Sequence, residues 1–117
     1  MNLDKYFFRK YDRKNYNCTH FVCEVWQELK GFDLSGPLAG FLHDPDERHV
    51  LLNDLRAMRR LTAPESPCVA LFKANRAPPH VGIYINRRVL HIQERGVEYQ
   101  PLEVVKFGFQ SVRFYTC

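Results

Sequence analysis

The spacing of apolar residues changes once along the chain, after the stretch TAPESP, and the change separates a helical half from a strand half. Between residues 17 and 30, Phe21, Val22, Val25, Trp26 and Leu29 recur at helical spacing. Asn17 stands where an N-cap belongs, and Lys30 followed by Gly31 makes a good helix end. GFDLSGPLAGFLHDPDE reads as a Gly- and Pro-rich loop. A second helix is predicted to open at DPDE: Asp44 can cap it, Pro45 suits its first position, and Glu47 completes a capping-box pattern. Its apolar stripe would be Val50, Leu51, Leu55, Met58 and Leu61, with Arg56, Arg59 and Arg60 largely outside it. Five short runs follow, CVALFKA, HVGIYIN, RVLHIQE, GVEYQPL and FQSVRFYT, rich in β-branched and aromatic residues and separated by turn-forming stretches. Helices first and strands second predict an α+β class, with N-terminal helices packed on a C-terminal antiparallel sheet of about five strands. The 117 residues are read as one domain, 1–117.

Strand periodicity gives HVGIYINRRVLHIQE more detail. His80, Gly82 and Tyr84 share one face, and Val81, Ile83 and Ile85 share the other. A two-residue turn at Asn86-Arg87 or Arg87-Arg88 puts Val89, His91 and Gln93 on the His80 face. The opposite face, Val81, Ile83, Ile85, Leu90 and Ile92, is wholly apolar and must turn to the core. His80 and His91 therefore meet on the more polar face, beside a glycine that leaves room.

Composition narrows the classes. There is no run of eighteen apolar residues, so no transmembrane helix is expected. The start, MNLDKYFFRKYDRKNYN, lacks the pattern of a secretory signal, so synthesis in a cytoplasm with reduced thiols is expected, and four cysteines are not read as a disulfide framework. The net charge of +4 is uneven: Lys5, Arg9, Lys10, Arg13 and Lys14 crowd the start, among Tyr6, Phe7, Phe8 and Tyr11. Basic residues among aromatics can form a nucleic-acid surface, but no nucleic-acid motif accompanies them. The segment is read instead as one that buries its rings and solvates its charges, and no nucleic-acid partner is expected. A basic surface would also suit a polyanionic target such as a cell wall.

Cys18 is the residue that carries chemistry. A zinc site from Cys18, His20, Cys23, Cys68 and His80 fails on geometry, since a helix places His20 about 200° and Cys23 about 140° around from Cys18. The NCT sequon is set aside, because it lies at a helix start in a chain without a signal. As a structural residue Cys18 would be a small apolar filler, the reading given to Cys23, Cys68 and Cys117. Its place at the first helical turn separates it from them, since unpaired N–H groups and the positive end of the helix dipole can pull a thiol pKa from ~8.5 into roughly 3.5–7.5. A nucleophile needs a base within reach, and the hairpin supplies two histidines.

YNCTHFV followed by PHVGIYINRRVLHI resembles the NlpC-type cell-wall cysteine peptidases, compact relatives of papain. The resemblance continues through GVEYQPL and FGFQSVRFY. It implies Cys18 as nucleophile, His80 as base and His91 as the orienting third residue, with Tyr16 as a further donor for the oxyanion or the substrate. Asn17 stands where the family usually has Asp, and Thr19-His20 where it has a small Ser-Gly pair; His20 should point away from Cys18. The implied reaction is hydrolysis of an amide in peptidoglycan stem peptides through a thioester acyl-enzyme, with no metal or organic cofactor. The implied partner is peptidoglycan or a muropeptide, reached after delivery to the wall, as by a phage tail or secretion apparatus. Two alternatives stay open: a lipid or acyl hydrolase or acyltransferase on the same fold, although Cys18 preceding His80 favours the peptidase order, and a non-catalytic structural or binding domain.

Overall fold

A computed structural model describes residues 2–35, 58–75 and 77–116. Within them a 3-10 turn, Asp4–Phe8, leads into helix α1, Cys18–Lys30. Six strands follow: β1 (Arg59–Leu61), β2 (Cys68–Ala74), β3 (Ala77–Ile85), β4 (Arg88–Gln93), β5 (Gly96–Pro101) and β6 (Ser111–Thr116). A short helix α2, Leu102–Lys106, joins the last two. The domain is thus α+β, with one antiparallel sheet in the order β1-β6-β2-β3-β4-β5. Among the described residues no helix is long and apolar enough to cross a membrane.

Helix α1 has the predicted ends. Asn17 Oδ1 accepts from the N–H of Thr19 (2.9 Å) and of His20 (3.4 Å), and Gly31 closes the helix in the left-handed region at φ 65°. Asn17 Nδ2 also donates to the Arg13 carbonyl at 3.0 Å, a bond that an Asp could not make. The apolar stripe of α1 lies against β3 and β4, where Phe21, Val22, Val25 and Trp26 are fully buried with Val69, Leu71, Val81, Ile83, Leu90 and Ile92.

The hairpin turns at Asn86-Arg87, both with positive φ as a type I′ turn needs, and pairs Ile85 with Arg88, Tyr84 with Val89 and Ile83 with Leu90. The even loop keeps the face assignment, so Val81, Ile83, Leu90 and Ile92 do form the core side. The other face carries a smaller apolar cluster of Cys68, Ala70, Phe72, Val89, Val105 and Phe114, packed with Leu102 and Phe109.

Two expectations are corrected. Residues 36–57, and with them most of the proposed second helix, lie outside the described residues, but that helix does not reach Leu61. Met58 sits in a bend, and Arg59, Arg60 and Leu61 pair with Thr116, Tyr115 and Phe114, which makes a sixth strand. An edge that β6 offers outweighs a local stripe for three residues. The N-terminal segment buries only one ring of its three-residue aromatic run: Tyr6 is fully buried, whereas Phe7 and Phe8 are exposed. Successive side chains of a 3-10 turn point about 120° apart, so one of three can face inward. Part of its charge is paired rather than simply solvated, with Arg9 forked onto Glu24 (3.0 and 2.9 Å) and Lys5 on Glu28, both carboxylates on α1.

Candidate active site

The open end of the hairpin, where β3 begins and β4 ends, meets the start of α1 around a cavity of about 470 Å³. Asn17 and Cys18 line it from the start of the helix, Pro79 and His80 from β3, Gln93 from the end of β4, and Phe109 from beyond α2. Cys18 belongs to the core side of the sheet and His80 to the opposite face, so the two reach the cavity around the end of the sheet. No hydrogen bond joins the thiol to either histidine; the sulfur lies by the backbone N–H of Val81, the residue after His80.

His80 and His91 meet as the face assignment predicts. His80 Nε2 and His91 Nδ1 are 2.8 Å apart, with the ring planes at 70°. Gly82 makes this approach feasible, since a Cβ there would lie 2.7 Å from Val89 Cγ1 and 3.1 Å from His91 Cβ. His91 is fully buried, and its Nε2 lies 2.9 Å from Gln100 Oε1 on β5. Phe109 stacks parallel to His80 with centroids 5.7 Å apart, and Phe72 flanks it at 6.1 Å.

The electrostatics depart from the expectation drawn from the helix start. Burial pushes the Cys18 thiol above the ordinary range, and the Val81 N–H, the Thr19 hydroxyl and the backbone N–H groups of Cys18 and Thr19 offset this only in part. Thr19 is fully buried, and its hydroxyl turns toward the sulfur without reaching full hydrogen-bond geometry, which leaves it unpartnered. Burial, with His91 beside it, pushes His80 down to about 3. His91 is also lowered by burial, against the opposing pull of Gln100 and Glu98. At neutral pH the resting site therefore holds a neutral thiol and two neutral imidazoles. Cys23 and Cys68 are raised as well, by burial, to about 12 and about 11.

The remaining candidates are placed elsewhere. Tyr16 is outside the cavity lining; its hydroxyl bonds Glu24, and its ring stacks on His20. His20 is outside the cavity lining and completes a capping box, its Nδ1 accepting the Asn17 N–H at 3.1 Å. Among the described residues no three His, Cys, Asp or Glu side chains group as a metal site. Sequence alone does not mark Gln100 or Phe109; alternation along GVEYQPL places Gln100 on the His91 face once the register is known. No protein-family model and no curated protein matches the chain, so the reading of this site rests on its own geometry.

Proposed function

We propose that this domain is a papain-like cysteine hydrolase of the NlpC type that cuts an amide bond in peptidoglycan stem peptides. The observation that carries the reading is the convergence of Cys18, at the first turn of α1, and His80, backed by His91, on one cavity. A cavity of about 470 Å³ is of a size to take a short peptide.

In this reading the Cys18 thiol attacks the carbonyl carbon while His80 Nδ1 takes its proton. His80 is already bonded to His91 through Nε2, so Nδ1 is its free nitrogen. The imidazolium returns that proton to the leaving amine, and a thioester remains on Cys18. Water, deprotonated by His80, then releases the acid and restores the thiol. A neutral resting pair suits transfer of the proton as the carbon–sulfur bond forms. Of the first backbone donors of α1, the Thr19 N–H is bonded to Asn17 Oδ1, so the Cys18 N–H is the one left for the oxyanion, a donor often worth ~3 kcal/mol.

One observation favours a second reading, a non-catalytic domain: Cys18 is only 8% exposed and its thiol is raised rather than lowered. Digestion of purified peptidoglycan by the wild-type chain and by Cys18→Ala, with products identified by mass spectrometry, separates the two. The hydrolase reading expects stem-peptide fragments that vanish in the variant. No cleavage of several wall types, together with a Cys18 no more reactive than Cys23 toward a thiol probe, would leave a binding or structural domain.

A further inference from the structure

We infer that Gln100 is a positioning residue whose amide oxygen sets the tautomers of both histidines, so that His80 presents a lone pair at Nδ1. The proposal rests on the hydrolase reading for its purpose, but not for its test. The protons can be followed one bond at a time. A carbonyl oxygen only accepts, so the 2.9 Å contact to Gln100 Oε1 requires a proton on His91 Nε2. A neutral imidazole has one N–H, and both rings are held neutral by burial. His91 Nδ1 is therefore an acceptor, and the 2.8 Å contact to His80 Nε2 requires the proton there. Nδ1 of His80 is left with its lone pair.

Turning the Gln100 amide over reverses every step. Its NH2 would donate to His91 Nε2, His91 Nδ1–H would donate to His80 Nε2, and His80 Nδ1 would carry a proton and could take none from a thiol. One amide orientation thus decides whether the base two residues away is competent.

The surroundings leave this task to Gln100. On β5, Glu98 pairs with His91 and Gln100 with Val89, so both acidic and amide side chains lie on the His91 face. Glu98 is committed to Arg95, its Oε1 lying 2.6 Å from Arg95 Nε. Among the described residues these two, with His80, are the charged or titratable groups that act on His91. Phe72 and Phe109 flank His80 with rings that offer no competing acceptor in the ring plane.

Long-range ¹⁵N–¹H correlation of the histidine rings in the full chain at neutral pH reads the tautomers directly. The expected result is an Nε2–H form for both His80 and His91. An Nδ1–H form at either ring of the wild-type chain would overturn the assignment, whether or not any variant folds. Gln100→Leu should mix the His91 tautomers and slow Cys18 alkylation by iodoacetamide roughly tenfold, the scale of one lost buried hydrogen bond. Gln100→Glu, whose ionised carboxylate only accepts, should keep the proton on His91 Nε2 and raise the His91 pKa, and loss of that proton in the folded variant would overturn the assignment. Unchanged tautomers in a folded Gln100→Leu chain would show that another group sets them. All these readings are taken on the resting protein, so they hold apart from whether peptidoglycan is the substrate.

Discussion

On one face of the sheet Val69, Leu71, Val81, Ile83, Leu90 and Ile92 are fully buried under α1; on the other, the residues alternating with them include Ala70, Phe72, His80, Gly82, Val89 and His91. The first face is a generic apolar core. Any side chain of the right volume could contribute to it, and its stability comes from area removed from water. The second face is smaller and is packed with residues of α2 and with Phe109, and its burial encloses an imidazole pair that needs partners for every N–H. The same strands serve both because alternate residues never compete for the same side. Stability and chemistry are therefore separable here, except at the point where the backbones come closest.

Two substitutions test that separation directly, beginning with the core. Ile83→Ala should lower the unfolding free energy by ~2–5 kcal/mol in urea titration while leaving the histidine tautomers of the folded chain as they are. A loss under ~1 kcal/mol would mean that the α1 face is not the main core. Gly82→Ala should couple the two faces. Its Cβ would meet Val89 Cγ1 at 2.7 Å and the Leu90 carbonyl oxygen at 3.2 Å, neither of which is the far end of a flexible chain. The expected cost is ~1–3 kcal/mol, with the His91 ring signals displaced. Unchanged His91 signals would show that the hairpin opens without disturbing the site.

Acid sharpens the contrast. An imidazole in the unfolded chain takes a proton near pH ~6.5, whereas folded His80 does so only at about 3. Between those values the unfolded state binds more protons, so the contribution to stability is complete above pH ~6.5 and is lost as pH falls. Carboxylates titrate lower, so the urea midpoint between about pH 5 and 7 reports the histidines. It should drop toward acid in the wild-type chain and drop less in His80→Phe. The effect is smaller than full enclosure would give, because His80 is only partly buried. A flat wild-type profile over this range would mean that the imidazoles are not held neutral by burial.

How much of this could be read from residues alone depended on how local the cause was. Helix α1 follows from an Asn17 cap, a five-residue stripe and a left-handed Gly31. The meeting of His80 with His91 follows from period two and a two-residue turn. Strand β1 was not legible, because Arg59–Leu61 is extended only through its pairing with β6. The raised Cys18 thiol was missed for the same kind of reason: the dipole at a helix start is a local property, but the depth of burial depends on what α1 packs against. His20 could have been found, since it occupies the N3 position where a side-chain acceptor closes a capping box, although Glu or Gln is the usual choice. Gln100 needed the β4–β5 register, in which Gln93 pairs with Gly96 and His91 with Glu98.

The smallest expected effect lies at the rim of the histidine face. Glu98 is paired with His91 across β4 and β5 and favours the charged form of that ring, but its own ion pair is with Arg95, whose side chain is 71% exposed. Exposed pairs of this kind contribute little, because water and salt screen them and two long side chains must be ordered. Glu98→Gln should therefore change unfolding stability by no more than ~0.5 kcal/mol. It should lower the His91 pKa, since one of the two influences that favour the imidazolium is gone, and it should leave the Nε2–H tautomer in place, since Gln100 still accepts from it. Titration of the His91 ring signals by NMR measures both. A tautomer that changed with Glu98 would shift control of the relay from the amide of Gln100 to the rim carboxylate, and would make charge rather than hydrogen-bond direction the organising property of this face.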